Sequence, residues 1–377
     1  MRGSTLAAGV SILALAAGFV TAPASAHRDR ERGPDVVADG LIGPLTLAVG
    51  DRGSVYLTQS FAGTLTKVDR RGHLSDVHQL ATPEAGELVG VATRRGATYH
   101  VETDFSGELP TSHIVRTSPR GTRTVVSEDL WAHEVANNPD ASQHYGFQGL
   151  DAQCAAEVAV VEETVGFPLD DYPGIVESHA YQLDVHRGSI YVADAAANAV
   201  LRVSPRTGRV STVAVLPGTS QTMTPELLAL VEERLFEGME LPDCLVGHEF
   251  VSEPVPTDVQ VARDGSLYVS TLGGGVGELV PQSYVYRVTP WDGRVREVAE
   301  GLHGATGLAL SRSGIVVAQM FGGEVSLLRQ HRRHTHVDTL FTADSPADVA
   351  VDGRTLYATT GAMGENGALV TYRLRGH

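Results

Sequence analysis

Six polar side chains stand at the same point of a recurring strand: Gln59, Glu102, Asp194, Thr271, Gln319 and Thr360, each three residues after the strand's centre. An oxygen-rich set with two carboxylates is the donor chemistry of a hard cation such as Ca²⁺, which takes about six to eight oxygen ligands. A second position, in the segment before each of these strands, reads Thr46, Gly90, Gln182, Asp258, Gly307 and Asp348. Asp258 and Asp348 would add negative charge near a common axis. Glu102, Asp194, Asp258 and Asp348 are therefore the metal-ligand candidates, and Gln59, Thr271, Gln319, Thr360 and Tyr181 the polar partners of a small ligand. The competing reading is that polar residues at strand exits tie down turns and hold water.

His179 and His303 each precede the first strand of a repeat unit. From there an imidazole could act as general base toward a metal-polarised carbonyl; a solvated or hydrogen-bonded loop histidine is the ordinary alternative. The run His331 to His336 falls at an outer hairpin, far from the axis, and reads as a solvated turn. No Gly-x-Ser-x-Gly elbow, His-Glu-x-x-His helix, Cys-x-x-Cys pair, P-loop or EF-hand loop occurs. His248-Glu249 runs into Phe250-Val251-Ser252 and lacks the second zinc ligand. Hydrolase and dehydrogenase classes built on those signatures are disfavoured.

The elements that must position these residues repeat along the chain. Ser54-Val55-Tyr56-Leu57 returns as Ala97-Thr98-Tyr99-His100, Ser189-Ile190-Tyr191-Val192, Ser266-Leu267-Tyr268-Val269, Gly314-Ile315-Val316-Val317 and Thr355-Leu356-Tyr357-Ala358. The central residues are spaced 43, 92, 77, 48 and 41 apart, and three of these intervals match one four-stranded propeller blade. The expected fold is all-β, a six-bladed β-propeller over residues 35–377 with two partly helical insertions at about 130–177 and 217–256. The last unit runs out of chain before its fourth strand, and Asp35 to Leu41 matches the outer strand of the fourth unit, so the N-terminal strand closes the last blade and removes an open edge. An open β-sandwich is the alternative, and it leaves the spare strand unexplained. Asp151 to Val161 reads as a short helix; Thr224 and Pro225 open a second, with Leu228, Val231 and Leu235 at helical spacing. Cys154 and Cys244, one in each insertion, read as a disulfide in an exported chain, against two separate buried thiols.

Composition narrows the partners. A formal net charge of −16 repels nucleic-acid phosphates and anionic lipid headgroups, so neither is an expected partner. Met1-Arg2, the uncharged stretch Leu6 to Val20 and Ala24-Ser25-Ala26 form a secretory signal peptide over residues 1–26, cleaved after Ala26. The apolar stretch is shorter than the ~20 residues of a membrane span, so an anchor is the weaker reading and no stable membrane insertion is expected. Residues 27–34 form a charged, frayed tail. The mature protein is expected to be secreted and monomeric.

Glu134 with Asn137-Asn138-Pro139-Asp140, the run Tyr191 to Val203, Val255-Pro256-Thr257 and Asp264 to Val269 together resemble the ScyD/ScyE family of exported NHL-like propellers. The resemblance covers essentially the whole mature chain. It departs at His179-Ala180-Tyr181-Gln182 and at Leu272 to Gly277. More distantly the pattern is similar to gluconolactonase-like and strictosidine-synthase-like propellers, some of which hold calcium in the channel. The resemblance implies no assigned reaction. The first expectation is an extracytoplasmic binding or scaffold protein that takes a small molecule, glycan or protein on the insertion-bearing face. The alternative is a Ca²⁺-dependent lactonase or related hydrolase at the channel mouth.

Overall fold

The computed structural model of the chain describes residues 33–331 and 334–375. The signal-peptide reading and the middle of the histidine-rich run fall outside them. His331 N–H donates to the carbonyl of His334 at the hairpin between Gln330 and Thr335.

Six four-stranded antiparallel sheets follow one another along the chain. Blade 1 comprises Leu47–Val49, Val55–Gln59, Thr64–Val68 and Leu74–Gln79; blade 2 Gly86–Arg94, Ala97–Asp104, Thr111–Thr117 and Arg123–Val125. Blade 3 comprises Ala180–His186, Ser189–Asp194, Ala199–Val203 and Val210–Val215; blade 4 Pro256–Val261, Leu267–Thr271, Ser283–Val288 and Val295–Leu302. Blade 5 comprises Ala305–Leu310, Ile315–Gln319, Glu324–Gln330 and Thr335–Thr342. Blade 6 takes three strands from the C-terminal region, Val349–Asp352, Thr355–Thr360 and Gly367–Arg373, and its fourth from Asp35–Leu41. Asp35 pairs with Thr371 and Leu41 with Gly367, antiparallel.

The core explains why this is a ring. Alternate side chains of a strand point to opposite faces, and here each blade shares one apolar layer with each neighbour. Leu65 meets Leu88 and Val91 between blades 1 and 2, and Val101 and Ile114 meet Leu183 and Ile190 between blades 2 and 3. Val200 meets Val259 and Val269, Val285 meets Leu308 and Val317, and Leu327 meets Leu356 at the next three junctions. The sixth junction joins Leu41 and Leu369 of blade 6 to Leu47 and Leu57 of blade 1. Leu41 and Leu369 are fully buried and contribute about 2 kcal/mol each to that seam. Burial falls outward: Ser189–Asp194 is buried at every residue, whereas Arg123–Val125 is exposed throughout.

The two long segments between blades hold a structure that patterning did not foresee. They pair with each other in a seventh four-stranded sheet, ordered Tyr172–Pro173, His144–Gln148, Glu249–Ser252, Thr219–Thr222. Its strands are short and largely polar, so no period-2 signal marks them. Around it pack α1 (Leu130–Asn137), α2 (Ala152–Val165) and α3 (Pro225–Arg234). Asp129, Asp151 and Thr224 cap the three helices by accepting hydrogen bonds from first-turn amides. α2 runs four residues past the expected end, stopping at Gly166 in the left-handed region. Phe147, Val158, Met223, Leu227 and Phe250 form a separate apolar core, and a Cys154–Cys244 disulfide ties the two segments together.

Candidate functional site

In every blade the start of the first strand lies beside the end of the second, so the insertions and the six strand-exit residues share one face. Gln59 Oε1 accepts from the amide of Ile42 at 2.9 Å, Asp194 Oδ1 from His179 at 2.7 Å, and Gln319 Oε1 from His303 at 2.8 Å. These are one tie repeated in blades 1, 3 and 5. Thr271 Oγ1 accepts from the Tyr284 amide at 3.1 Å, and Thr360 is half-buried. Gln59, Glu102, Asp194, Thr271 and Gln319 are thus each engaged by a partner of their own or the adjoining segment.

At the axis the first strands are laced together by carboxylates. Asp348 Oδ1 accepts from its own neighbour Val349 at 2.7 Å. Its Oδ2 accepts from Leu47 of blade 1 at 2.7 Å and from Gln182 Nε2, of the opposite blade, at 2.9 Å. Asp258 Oδ1 accepts from Val259 at 2.6 Å and Oδ2 from Leu308 of blade 5 at 2.8 Å. Gly307 makes room for this: a Cβ there would stand 2.4 Å from Asp348 Oδ1 and 2.6 Å from its Cα. Burial lifts both acids, Asp258 to about 7 and Asp348 well above the usual range, the latter raised further by the charge of Asp258. Every oxygen of the pair already accepts an N–H donor. The two acids thereby tie blade 6 to blades 1 and 3, and blade 4 to blade 5.

Above the axis lies the channel mouth. Glu87, at the start of blade 2, and His179, leading into blade 3, form an ion pair at 2.8 Å with both side chains under one-fifth exposed. Burial would lower the His179 pKa, but the charge and hydrogen bond of Glu87, with Asp194 and Glu177, push it up to about 9. Burial would raise Glu87, and the charge of His179 holds it below its ordinary value. Tyr181 stands edge-on to His179, ring centres 5.7 Å apart, and packs with Leu45, Met320, Ala347 and Ala362 from blades 1, 5 and 6. His303 Nε2 lies 3.0 Å from the Glu278 carbonyl oxygen, and its ring sits edge-on to Phe321. Burial pushes the Glu278 carboxyl up to about 7. Phe61, Phe105, Leu109, Phe321 and Met363, all in loops after second strands, are exposed around this face.

Under the insertions five carboxylates act on one another. Asp140 Oδ2 accepts from Tyr145 Oη at 3.0 Å and Asn198 Nδ2 at 2.9 Å. Glu253 accepts from Tyr172 Oη at 3.0 Å and from Asn198 Nδ2 at 3.1 Å, and Asp194 Oδ2 from Ser178 Oγ at 2.7 Å. Glu134, on the last turn of α1, is 1 % exposed, and neither oxygen receives a hydrogen bond of ordinary geometry; the Glu177 amide is the donor that approaches it. Burial, then the charges of Asp194 and Asp140, push its pKa up to about 8; the Glu177 amide pulls the other way. Glu177 is half-buried and raised by burial and by Glu253.

Glu102 sits elsewhere, between blades 1 and 2. His100 Nε2 lies 2.7 Å and His78 Nε2 3.1 Å from Glu102 Oε1, and Arg123 pairs with the same oxygen. The three potential ligand atoms of His78, His100 and Glu102 fall within 4.8 Å of one another. Burial would raise the Glu102 pKa, but the His100 hydrogen bond and the charges of His100, Arg123 and His78 hold it down to about 2. A guanidinium already compensates this carboxylate.

Glu87, Glu177, Glu253, His78 and His100 carry no local sequence signal. Only the spatial pairing of loops makes them site residues. Glu134 and Asp140 stood in a recognisable sequence run, though nothing local marked them as chemically unsatisfied.

No protein-family model matches the chain, and no curated protein matches its sequence. Solved structures do. A Thermus thermophilus protein named as an oxidoreductase of the glucose dehydrogenase kind is 17% identical over 90% of this chain and 99% of its own, with a TM-score of 0.54. A gluconolactonase from Xanthomonas campestris is 11% identical over 90% and 94%, TM-score 0.53. The soluble aldose sugar dehydrogenase of Escherichia coli is 12% identical over 91% and 99%, TM-score 0.52. The neighbours are β-propeller enzymes, and at these identities the likeness is one of fold.

Proposed function

We propose that this chain is an extracytoplasmic hydrolase of the ScyD/ScyE type that opens cyclic esters of small, hydroxyl-rich molecules at the channel mouth. The observation that carries the reading is the buried Glu87–His179 pair, 2.8 Å apart, with the Glu177 carboxylate two residues away and within Coulombic reach. His179 is charged at neutral pH, which makes it a donor and not the general base expected of it. Its Nε2 is taken by Glu87, and Nδ1 has no protein partner among the described residues. In this reading Nδ1–H donates to the carbonyl oxygen, whose negative charge grows as water adds. Glu177 accepts the water proton, the ring C–O bond breaks, and the departing alkoxide takes a proton from His179. Tyr181 and the exposed aromatic rim supply apolar faces for a ring, and the acidic surroundings supply acceptors for hydroxyls. No step passes through a metal.

Support for the substrate class comes from the gluconolactonase and sugar dehydrogenases that share the fold. Support for an extracytoplasmic site comes from the disulfide; no helix among the described residues is long and apolar enough to cross a membrane. A panel of aldonolactones followed by pH-stat tests the proposal. Turnover that falls about 100-fold in both His179→Ala and Glu177→Gln is the expected result. A wild-type protein inert on every lactone, yet binding the sugar acids saturably, would return the chain to a binding platform.

A further inference from the structure

The geometry points to a divalent-cation site of the calcium class beneath the C-terminal turn of α1, built by Glu134, Asn138 and Asp140 and separate from the channel axis. Four side-chain oxygens here are buried with no hydrogen bond of ordinary geometry: Glu134 Oε1 and Oε2, Asn138 Oδ1 and Asp140 Oδ1, with the amides of Glu177 and of Asp140 itself approaching the two carboxylates. All four are acceptors. Glu134 and Asp140 are each 1 % exposed, so solvent does not serve them. A buried acceptor left unpaired is destabilising, the more so when it is charged. A single proton on Glu134 would pair one such atom and leave the rest. A hard cation takes them together, because it is served by carboxylate and amide oxygens alike.

The surroundings hold these oxygens in place. Asn138, in the left-handed region at φ 35, ends α1 by donating its amide to the Glu134 carbonyl at 2.7 Å, which fixes the turn from Glu134 to Asp140. Asn138 Nδ2 donates to the Gly174 carbonyl at 3.0 Å, and this turns Oδ1 the other way. Tyr145 and Asn198 take Asp140 Oδ2, as outer partners orient a ligating carboxylate. Gly174 is the wall: a Cβ there would stand 2.2 Å from Asp140 Oδ1. The last turn of a helix carries partial negative charge, and the charge of Asp194 bears on Glu134 as well, so the position favours a cation electrostatically.

Tyr145 makes the test direct, since its hydroxyl touches a ligating residue. Terbium bound at the site should emit on tyrosine excitation, and Ca²⁺ should quench that emission by competition. Glu134→Gln should weaken terbium at least 10-fold, and Asp348→Asn at the axis should leave it unchanged. Ca²⁺ at about 100 times the Kd read from its competition with terbium should also raise the wild-type melting temperature measurably. Folded wild-type protein giving no sensitised emission at millimolar terbium overturns the site. So does emission that survives Glu134→Gln at unchanged affinity. Because none of these readouts uses turnover, a dead lactone panel leaves the site standing.

Discussion

The channel axis and the pocket beneath the insertions both bury carboxylates, and they treat them oppositely. At the axis every oxygen of Asp258 and Asp348 is served: amides of their own strand and of the next blade donate to them. Beneath the insertions Glu134 is approached by the Glu177 amide alone and receives no hydrogen bond of ordinary geometry, and Asp140 has one oxygen served and one bare. Acidity alone would mark both regions for a cation. Counting donors separates them: the axial acids act as struts between blades, whereas the acids under α1 hold unused acceptor capacity.

Removing a strut should have the largest effect. Asp348→Ala strands the amides of Leu47 and Val349 and the Gln182 side chain at once, and should cost about 3 kcal/mol in urea unfolding. A loss under 1 kcal/mol would erase the distinction drawn here. Next comes the ion pair at the mouth, which is charged and compensated. Its histidine is pushed up to about 9 in the folded chain from an ordinary value of 6.5. The stability it contributes is whole below about pH 6.5 and is lost as pH rises through 9. Glu87, lowered from 4.5, contributes above that value and loses its share as pH falls through its folded pKa. The melting temperature should therefore plateau between about pH 5 and 6.5 and decline toward 9, and Glu87→Gln should flatten the alkaline decline. An alkaline limb of equal depth in that variant would assign it to other groups. Smallest is the change at the unsatisfied acid: without divalent cation, Glu134→Gln should alter stability near pH 7 by under about 1 kcal/mol, since a carboxyl pushed up to about 8 is already mostly neutral there and the amide is its uncharged isostere. A destabilisation as large as that of Asp348→Ala would mean Glu134 is a strut after all.

Much of the frame was legible in the linear chain. Tyr56, Tyr99, Tyr191, Tyr268 and Tyr357 mark second strands, because one inner-to-outer sheet is built repeatedly with the same local alternation. Thr224-Pro225 announced α3 since capping is decided within a few residues. The seventh sheet escaped because His144–Gln148 pairs with Glu249–Ser252, about a hundred residues on, through polar strands with no pattern of their own. The chemistry at the mouth escaped similarly: Glu87 and His179 stand in different blades, and neither neighbourhood hints at the other. Asp194 is a case of position read correctly and partners invisible. Its place at a strand exit follows from repeat counting, but the Ser178, His179 and Ala197 donors that occupy it emerge only from the folded loop.

The pairing of Asp35 with Thr371 imposes an order of events on folding. Of the described strands, the one a ribosome delivers first is the one whose pairing comes last, since its partner Gly367–Arg373 follows it by more than 300 residues. Until then five blades can assemble, and blade 6 cannot zip shut. Closing so long a loop costs only slightly more entropy than closing one half its length, so the latch is slow to be reached and cheap to set. The waiting strand, Asp35-Val36-Val37-Ala38-Asp39-Gly40-Leu41, carries two aspartates and a glycine, which discourage it from pairing with another molecule in the interval.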